Sequence, residues 1–182
     1  CSPSCNGSAC PWLADAVTYP EAFTDPAEFA ERLRWIGILV DYVHSEELVH
    51  RDLKPDNIFL VRDPEEPSGE RPKLLDFGIA KLQDHDDGGV RTRTGMLLGT
   101  PAYMSPEQCR GSLDIDARAD LYSLGCIFYE MVCGQRLFGR IASAGALVGM
   151  HQFKLPVPPR AIIPEIHPAL EQPSLLRYLW RA

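Results

Sequence analysis

Several things are scarce in this sequence, and each scarcity excludes something. No apolar run approaches the roughly 18 residues that a membrane-spanning helix needs, so no segment reads as a membrane span. Basic residues are in deficit: 18 Lys and Arg stand against 25 Asp and Glu, for a net charge of −7. That balance argues against nucleic acid or an anionic membrane as the main partner. Paired cysteines are missing. The six lie at 1, 5, 10, 109, 126 and 133, and the first three lack the C-x-x-C spacing of a zinc site, so all six read as free thiols in a reducing cytosol. The chain has no initial Met and no basic segment leading into an apolar one. Cys1 therefore reads as the start of a cut or incomplete chain, with a processed lipoprotein as the alternative. Neither G-x-S-x-G nor H-E-x-x-H occurs, which removes two common hydrolase signatures. His85, His151 and His167 lie in loop-like or helix-end settings and read as solvated.

What is present suffices for one domain with a real core. The 182 residues are 45% hydrophobic and 24% charged, the balance of an ordinary globular chain. Residues 1–25 have no clear periodicity and read as an irregular leader. Asp25-Pro26-Ala27-Glu28 is a helix start, and Phe29, Leu33, Ile36, Val40 and Val43 then recur on one face, predicting a helix that ends near His44. "NIFLV" and "PKLLDFG" are β-type runs on either side of the turn-rich "RDPEEPSGERP", a pattern that predicts a hairpin with a long exposed loop. "QDHDDGGVRTRTG" is a second polar loop. Ser105-Pro106-Glu107 opens a short helix, with Ser as cap and Pro in the first turn. Residues 117–133, "ARADLYSLGCIFYEMVC", are apolar on nearly every face, as a buried central helix would be, and Gly134 is its stop. A further helix is expected over 141–153.

Three motifs stand in order along the chain. They are His50-Arg51-Asp52-Leu53-Lys54-Pro55-Asp56-Asn57, then Asp76-Phe77-Gly78, then Ser105-Pro106-Glu107. Singly, each has an ordinary explanation; Asp52 to Pro55 could be a surface turn capped by Asn57. Together they resemble the catalytic loop H-R-D-L-x-x-x-N, the D-F-G and the A-P-E of the eukaryotic-type protein kinases, with Ser in place of the first Ala. The likeness covers residues 26–170, is sharpest over 48–138, and is to the C-terminal lobe of bacterial Ser/Thr kinases. It implies a mainly α fold with a short β-hairpin, a partial kinase domain in a family that is α+β when whole. Residues 171–182 read as a truncated or divergent tail.

The resemblance assigns roles by position. Asp52 would accept the proton of the substrate hydroxyl, and Lys54 would place a positive charge beside the transferring phosphate of ATP. Asn57 and Asp76 would supply oxygen ligands to Mg²⁺, a hard cation that takes few protein ligands. Thr100 would bond to Asp52 and Lys54 and shape the loop that docks substrate. His50, Phe77, Gly78, Glu107 and Asp120 would be structural, Glu107 pairing with a late Arg and Asp120 bracing the catalytic loop. Arg51 facing Thr92 and Thr94 implies switching by phosphorylation, since a phosphate gives an Arg a bidentate partner. Lys54-Pro55 and "GTPAYMSPEQ" point to Ser/Thr rather than Tyr substrates.

The half that would hold ATP is not legible. There is no G-x-G-x-x-G and no Lys before Lys54, and about five strands of five to six residues would exhaust the segment before the first helix. The N-terminal lobe therefore reads as missing. No late Arg appears in its expected setting to pair with Glu107, although Arg177 or Arg181 could substitute. Two functions remain open at this point. One is a fragment of an ATP-dependent protein Ser/Thr kinase, cytoplasmic, acting on protein substrates and trans-phosphorylated by a second kinase chain. The other is a catalytically inactive kinase-like lobe that serves as a protein-binding module.

Overall fold

A computed structural model of the chain describes residues 45, 49–66, 70–75, 101–141 and 143–165. The leader, the body of the helix expected over 26–44, and the tail lie outside the described residues. So do Asp76, Phe77, Gly78, Thr92, Thr94, Thr100, His85 and His167.

The expected hairpin forms. β1 (Ile58–Arg62) pairs antiparallel with β2 (Glu70–Leu74), in a register running from Ile58 opposite Leu74 to Arg62 opposite Glu70. β2 begins two residues before "PKLLDFG" because pairing with β1, not local composition, sets its limits. Pro72 is tolerated because a two-stranded sheet has only edge strands, where its missing N–H need not serve a neighbour. Asp63 turns the chain out of β1, accepting the Glu65 N–H at 3.0 Å and the Arg71 guanidinium at 2.7 Å. At the open end of the hairpin the Leu75 N–H donates to the Asn57 carbonyl at 2.9 Å, tying β2 to the loop that precedes β1.

Helices make up most of the described residues beyond position 100. After a 3₁₀ turn at Pro101–Tyr103 come α1 (Pro106–Cys109), α2 (Ala117–Cys133), α3 (Ala144–Phe153) and α4 (Pro159–Ile162). α1 starts as expected, and its entry is a capping box: Ser105 Oγ accepts the Gln108 N–H while Gln108 Oε1 accepts the Ser105 N–H. α3 starts three residues later than expected, because Ser143 caps it by accepting the Ala146 N–H at 3.3 Å.

α2 has the limits read from the sequence. Asp116 accepts the Arg118 N–H at its start, and Gly134 ends it in the left-handed region at φ 66. Its Leu124, Cys126, Ile127, Phe128, Tyr129 and Met131 are all buried, each large side chain contributing about 1.5–3 kcal/mol of burial free energy. They form one core with Leu53, Ile58, Ala102, Tyr103, Leu137 and Leu147, so the catalytic-loop segment, the hairpin and the helices share a single packed centre. α1 rests on α3, and α2 rests on the 101–103 turn and on α4. Leu113, Phe153 and Leu155 stand exposed. Among the described residues no helix is long and apolar enough to cross a membrane.

One reading is corrected. His151 is not solvated; it is buried at 4% exposure. It shares a face of α3 with Leu147 one turn earlier, and that face turns inward. Its Nδ1 meets the Tyr122 hydroxyl at 2.8 Å, and Phe138 packs edge-on at 4.9 Å between centroids.

Candidate active site

The segment 50–57 is held in a shape it would not adopt alone. Arg51 sits at φ 63, the one described non-glycine residue in the left-handed region, where an L-residue is strained by about 1–2 kcal/mol. Three anchors hold it there. The Asp120 carboxylate, on the first turn of α2, accepts the His50 N–H at 2.7 Å and the Arg51 N–H at 2.9 Å. The Gln108 amide donates to the Arg51 carbonyl at 2.7 Å. The His50 ring is the third anchor: Nδ1 accepts the Asp52 N–H at 3.4 Å and Nε2 donates to the Leu75 carbonyl at 3.0 Å. Those partners require the ring proton on Nε2, and they pin the loop to the end of β2. His50 and Asp120 are both 1% exposed, so these bonds are shielded from water.

Beyond the bend, Asp52 meets its neighbours. Lys54 Nζ lies 3.0 Å from Asp52 Oδ2, and both side chains keep about a fifth of their surface exposed, at 21% and 22%. They are therefore reachable from solvent. The Asn57 amide nitrogen donates to the Asp52 carbonyl at 2.8 Å and approaches Oδ2 at 3.3 Å. This fixes which end of the amide is which, and the Asn57 oxygen is the end that can serve a cation. Pro55–Asn57 form a 3₁₀ turn closed by the Asn57 N–H on the Lys54 carbonyl at 3.0 Å, and Leu53 anchors it in the core. A carboxylate and an ammonium, both part-exposed, thus converge with the buried Asn57 amide on one spot, able to orient a hydroxyl and to balance negative charge.

That spot opens onto a shallow depression whose other wall is Tyr103, Met104, Gln108 and Ser123. The wall is braced from beneath. Ser123 Oγ donates to the Tyr103 carbonyl at 2.7 Å, and the Tyr103 hydroxyl donates to the buried Glu130 carboxylate. Burial pushes the Glu130 carboxyl above the usual carboxylate range, while Tyr103 and Arg136 pull it back. Burial together with Glu130 raises the Tyr103 phenol well beyond its ordinary value. Arg136 completes the cluster, 3.5 Å from Glu130 and 6.0 Å over the Tyr103 ring.

Of the residues singled out in the sequence, the structure brings together His50, Arg51, Asp52, Lys54, Asn57 and Asp120. Glu107 lies on α1, and among the described residues no cation pairs with it. Among the described residues no group of three or more His, Cys, Asp or Glu could hold a metal; Asn57 offers one neutral oxygen, a donor of the kind Mg²⁺ accepts. Sequence reasoning missed Gln108, Tyr103, Glu130 and Arg136. The Ser-x-x-Gln spacing is a local signal that could have found the capping bond of Gln108, but nothing local announces its second bond, 57 residues away.

The family described as protein kinase domain matches residues 5–165, reaching into the leader that had read as irregular. Serine/threonine-protein kinase Pkn1 of Myxococcus xanthus is 48% identical over 130 residues, which is 70% of this chain and 18% of that protein. Serine/threonine-protein kinase pkn3 of the same organism is 44% identical over 132 residues, 71% of this chain and 23% of that one. Serine/threonine-protein kinase PknB of Mycolicibacterium smegmatis is 36% identical over 163 residues, 86% of this chain and 24% of that one. The chain spans less than a quarter of the length of these relatives.

Proposed function

The chain belongs to the protein kinase family, and from that membership we propose that the intact protein transfers phosphate from ATP to Ser or Thr hydroxyls of protein substrates. The observation that carries the proposal is the convergence of Lys54 and Asn57 on Asp52, on a loop whose strained bend is held by Asp120. Strain maintained by buried partners is characteristic of a site that must present one group in one direction. In this reading Asp52 takes the hydroxyl proton and aims the oxygen, and Lys54 balances charge on the transferring group. Asn57, with Asp76, would hold Mg²⁺, whose chemistry is to bridge and neutralise the phosphates. The names of the relatives support Ser and Thr as acceptors. Thr100 would shape the substrate-docking loop. Phosphorylation of Thr92 or Thr94 by a second copy would give Arg51 an anionic partner. We place this chemistry in the cytoplasm, where ATP and Mg²⁺ are available.

This chain carries no G-x-G-x-x-G and no Lys before Lys54, so transfer is proposed for the intact protein. A misplacement of about 1 Å can cost roughly 100-fold in rate; the 182-residue chain by itself is expected to show no measurable transfer. The test is phosphate transfer from labelled ATP and Mg²⁺ to a generic Ser/Thr substrate, with mass spectrometry across residues 92–94. Asp52→Asn should reduce turnover to background, and Thr92 or Thr94 should carry phosphate in the active protein. Full activity in Asp52→Asn would remove Asp52 from the role given to it, an intact protein without any transfer would leave the binding-module reading in its place, and an unmodified, fully covered loop in active protein would remove the switch.

A further inference from the structure

Gln108 does two things with one amide. Its Oε1 accepts the Ser105 N–H at 2.9 Å, closing the capping box of α1, and its Nε2 donates to the Arg51 carbonyl at 2.7 Å. The first bond is what a residue three places after a Ser cap is expected to make, and Glu makes it as well as Gln. The second bond is available only to a donor. Its acceptor belongs to the peptide that joins Arg51 to Asp52, immediately after the left-handed bend. Asp120 fixes the amide side of Arg51 at 2.9 Å, and Gln108 fixes the carbonyl side. Between them the two determine the direction in which Asp52 leaves the loop.

We infer that Gln108 is a positioning residue for Asp52: through the Arg51 carbonyl it ties the orientation of the Asp52 carboxylate to the start of α1, so that the wall formed by Tyr103, Met104 and Gln108 and the reacting carboxylate move as one unit. The inference rests on the kinase reading above. Its physical basis is that a residue at φ 63 relaxes toward φ < 0 unless both of its flanking peptides are held. Removal of the carbonyl anchor frees one of them.

Three variants of the intact protein separate this role from capping. Gln108→Glu keeps the cap acceptor and the side-chain length but sets a carboxylate oxygen against the Arg51 carbonyl. Gln108→Leu removes both bonds. Asp52→Asn reports on the kinase reading itself. Gln108→Glu should lower kcat roughly tenfold or more while KM for ATP and for peptide stays within about twofold, the pattern of an interaction that matters in the transition state. Lowering the pH toward about 4.3, the ordinary Glu range, protonates a growing share of the introduced Glu and restores an O–H donor. The ratio of Gln108→Glu to wild-type kcat should therefore rise as pH falls, whereas the Gln108→Leu ratio stays flat. Arg51, Asp52, Lys54, Tyr103 and Glu107 border the same ground in all these proteins, and Gln108→Leu is the control for them. Hydrogen exchange over residues 50–54 should be faster in Gln108→Glu and Gln108→Leu than in wild type. Wild-type kcat and wild-type exchange in Gln108→Glu would overturn the inference, as would equal and pH-independent losses in both Gln108 variants. An Asp52→Asn protein that still turns over would instead overturn the role given to Asp52, an intact protein without any transfer would overturn the kinase reading, and in either case the exchange measurement decides the positioning role alone.

Discussion

Asp120 carries two backbone N–H groups, those of His50 and Arg51, on one fully buried carboxylate. Hydrogen bonds to a charged acceptor are stronger than neutral ones, and removal of the acceptor leaves two buried donors without the partner that fixed them. Asp120→Ala is therefore expected to destabilise the chain by about 3–5 kcal/mol, with Asp120→Asn losing less because its amide oxygen can still accept one N–H. Urea unfolding of both variants checks this; a loss under about 1 kcal/mol for Asp120→Ala would show that the bend at Arg51 is held by other means. The sequence motif named His50, Asp52, Lys54 and Asn57 because their spacing is local, all within one loop. The bracing partners were legible only through resemblance in the case of Asp120, and not at all as partners in the case of Gln108.

At the scale of elements, local signals did well wherever an element is terminated by its own residues. α2 begins at an Asp cap and ends at Gly134, whose N–H returns to the Glu130 carbonyl at 2.8 Å. At φ 66 any residue with a Cβ is strained, so Gly134→Ala should cost about 1 kcal/mol. Thermal unfolding should show a fall of several degrees with no change in activity of the intact protein. A neutral substitution would mean that the end of α2 can rewind without cost. β2 was placed less well, because a strand's limits depend on its partner: Glu70 is in the strand because it faces Arg62. α3 was drawn too long for the opposite reason, a local cap at Ser143 that periodicity alone overlooked.

For the whole molecule, the packing of α3 against the Tyr122 and Phe138 face buries an ionisable ring. Burial lowers the His151 pKa from 6.5 to about 4, and the Ala102 carbonyl only partly offsets this. Its Nε2 reaches no hydrogen-bond partner. A folded pKa below the unfolded one has a definite sign. Above pH 6.5 both states are neutral at His151 and the group contributes nothing to the pH dependence. Between pH 6.5 and about 4 the unfolded chain binds a proton that the folded chain does not, so stability falls as pH falls, by up to about 3 kcal/mol, and levels off below. Carboxylates titrate in the same window, so the informative quantity is the difference from His151→Gln, which can still meet the Tyr122 hydroxyl but cannot ionise. That variant should lose less stability than wild type between pH 7 and pH 4; parallel curves would mean that His151 is solvated after all.

The sequence by itself determined the family, the limits of α2 and the motif residues of the 50–57 loop. Caps, apolar periodicity and a short contiguous motif act over distances of a few residues, and their physics does not depend on what packs nearby. Only the tertiary structure decided that Arg51 is strained, that Gln108 holds it from 57 residues away, and that His151 faces the core. Each of those facts depends on which surfaces meet when the helices close around α2, and no local preference of Arg, Gln or His encodes that meeting.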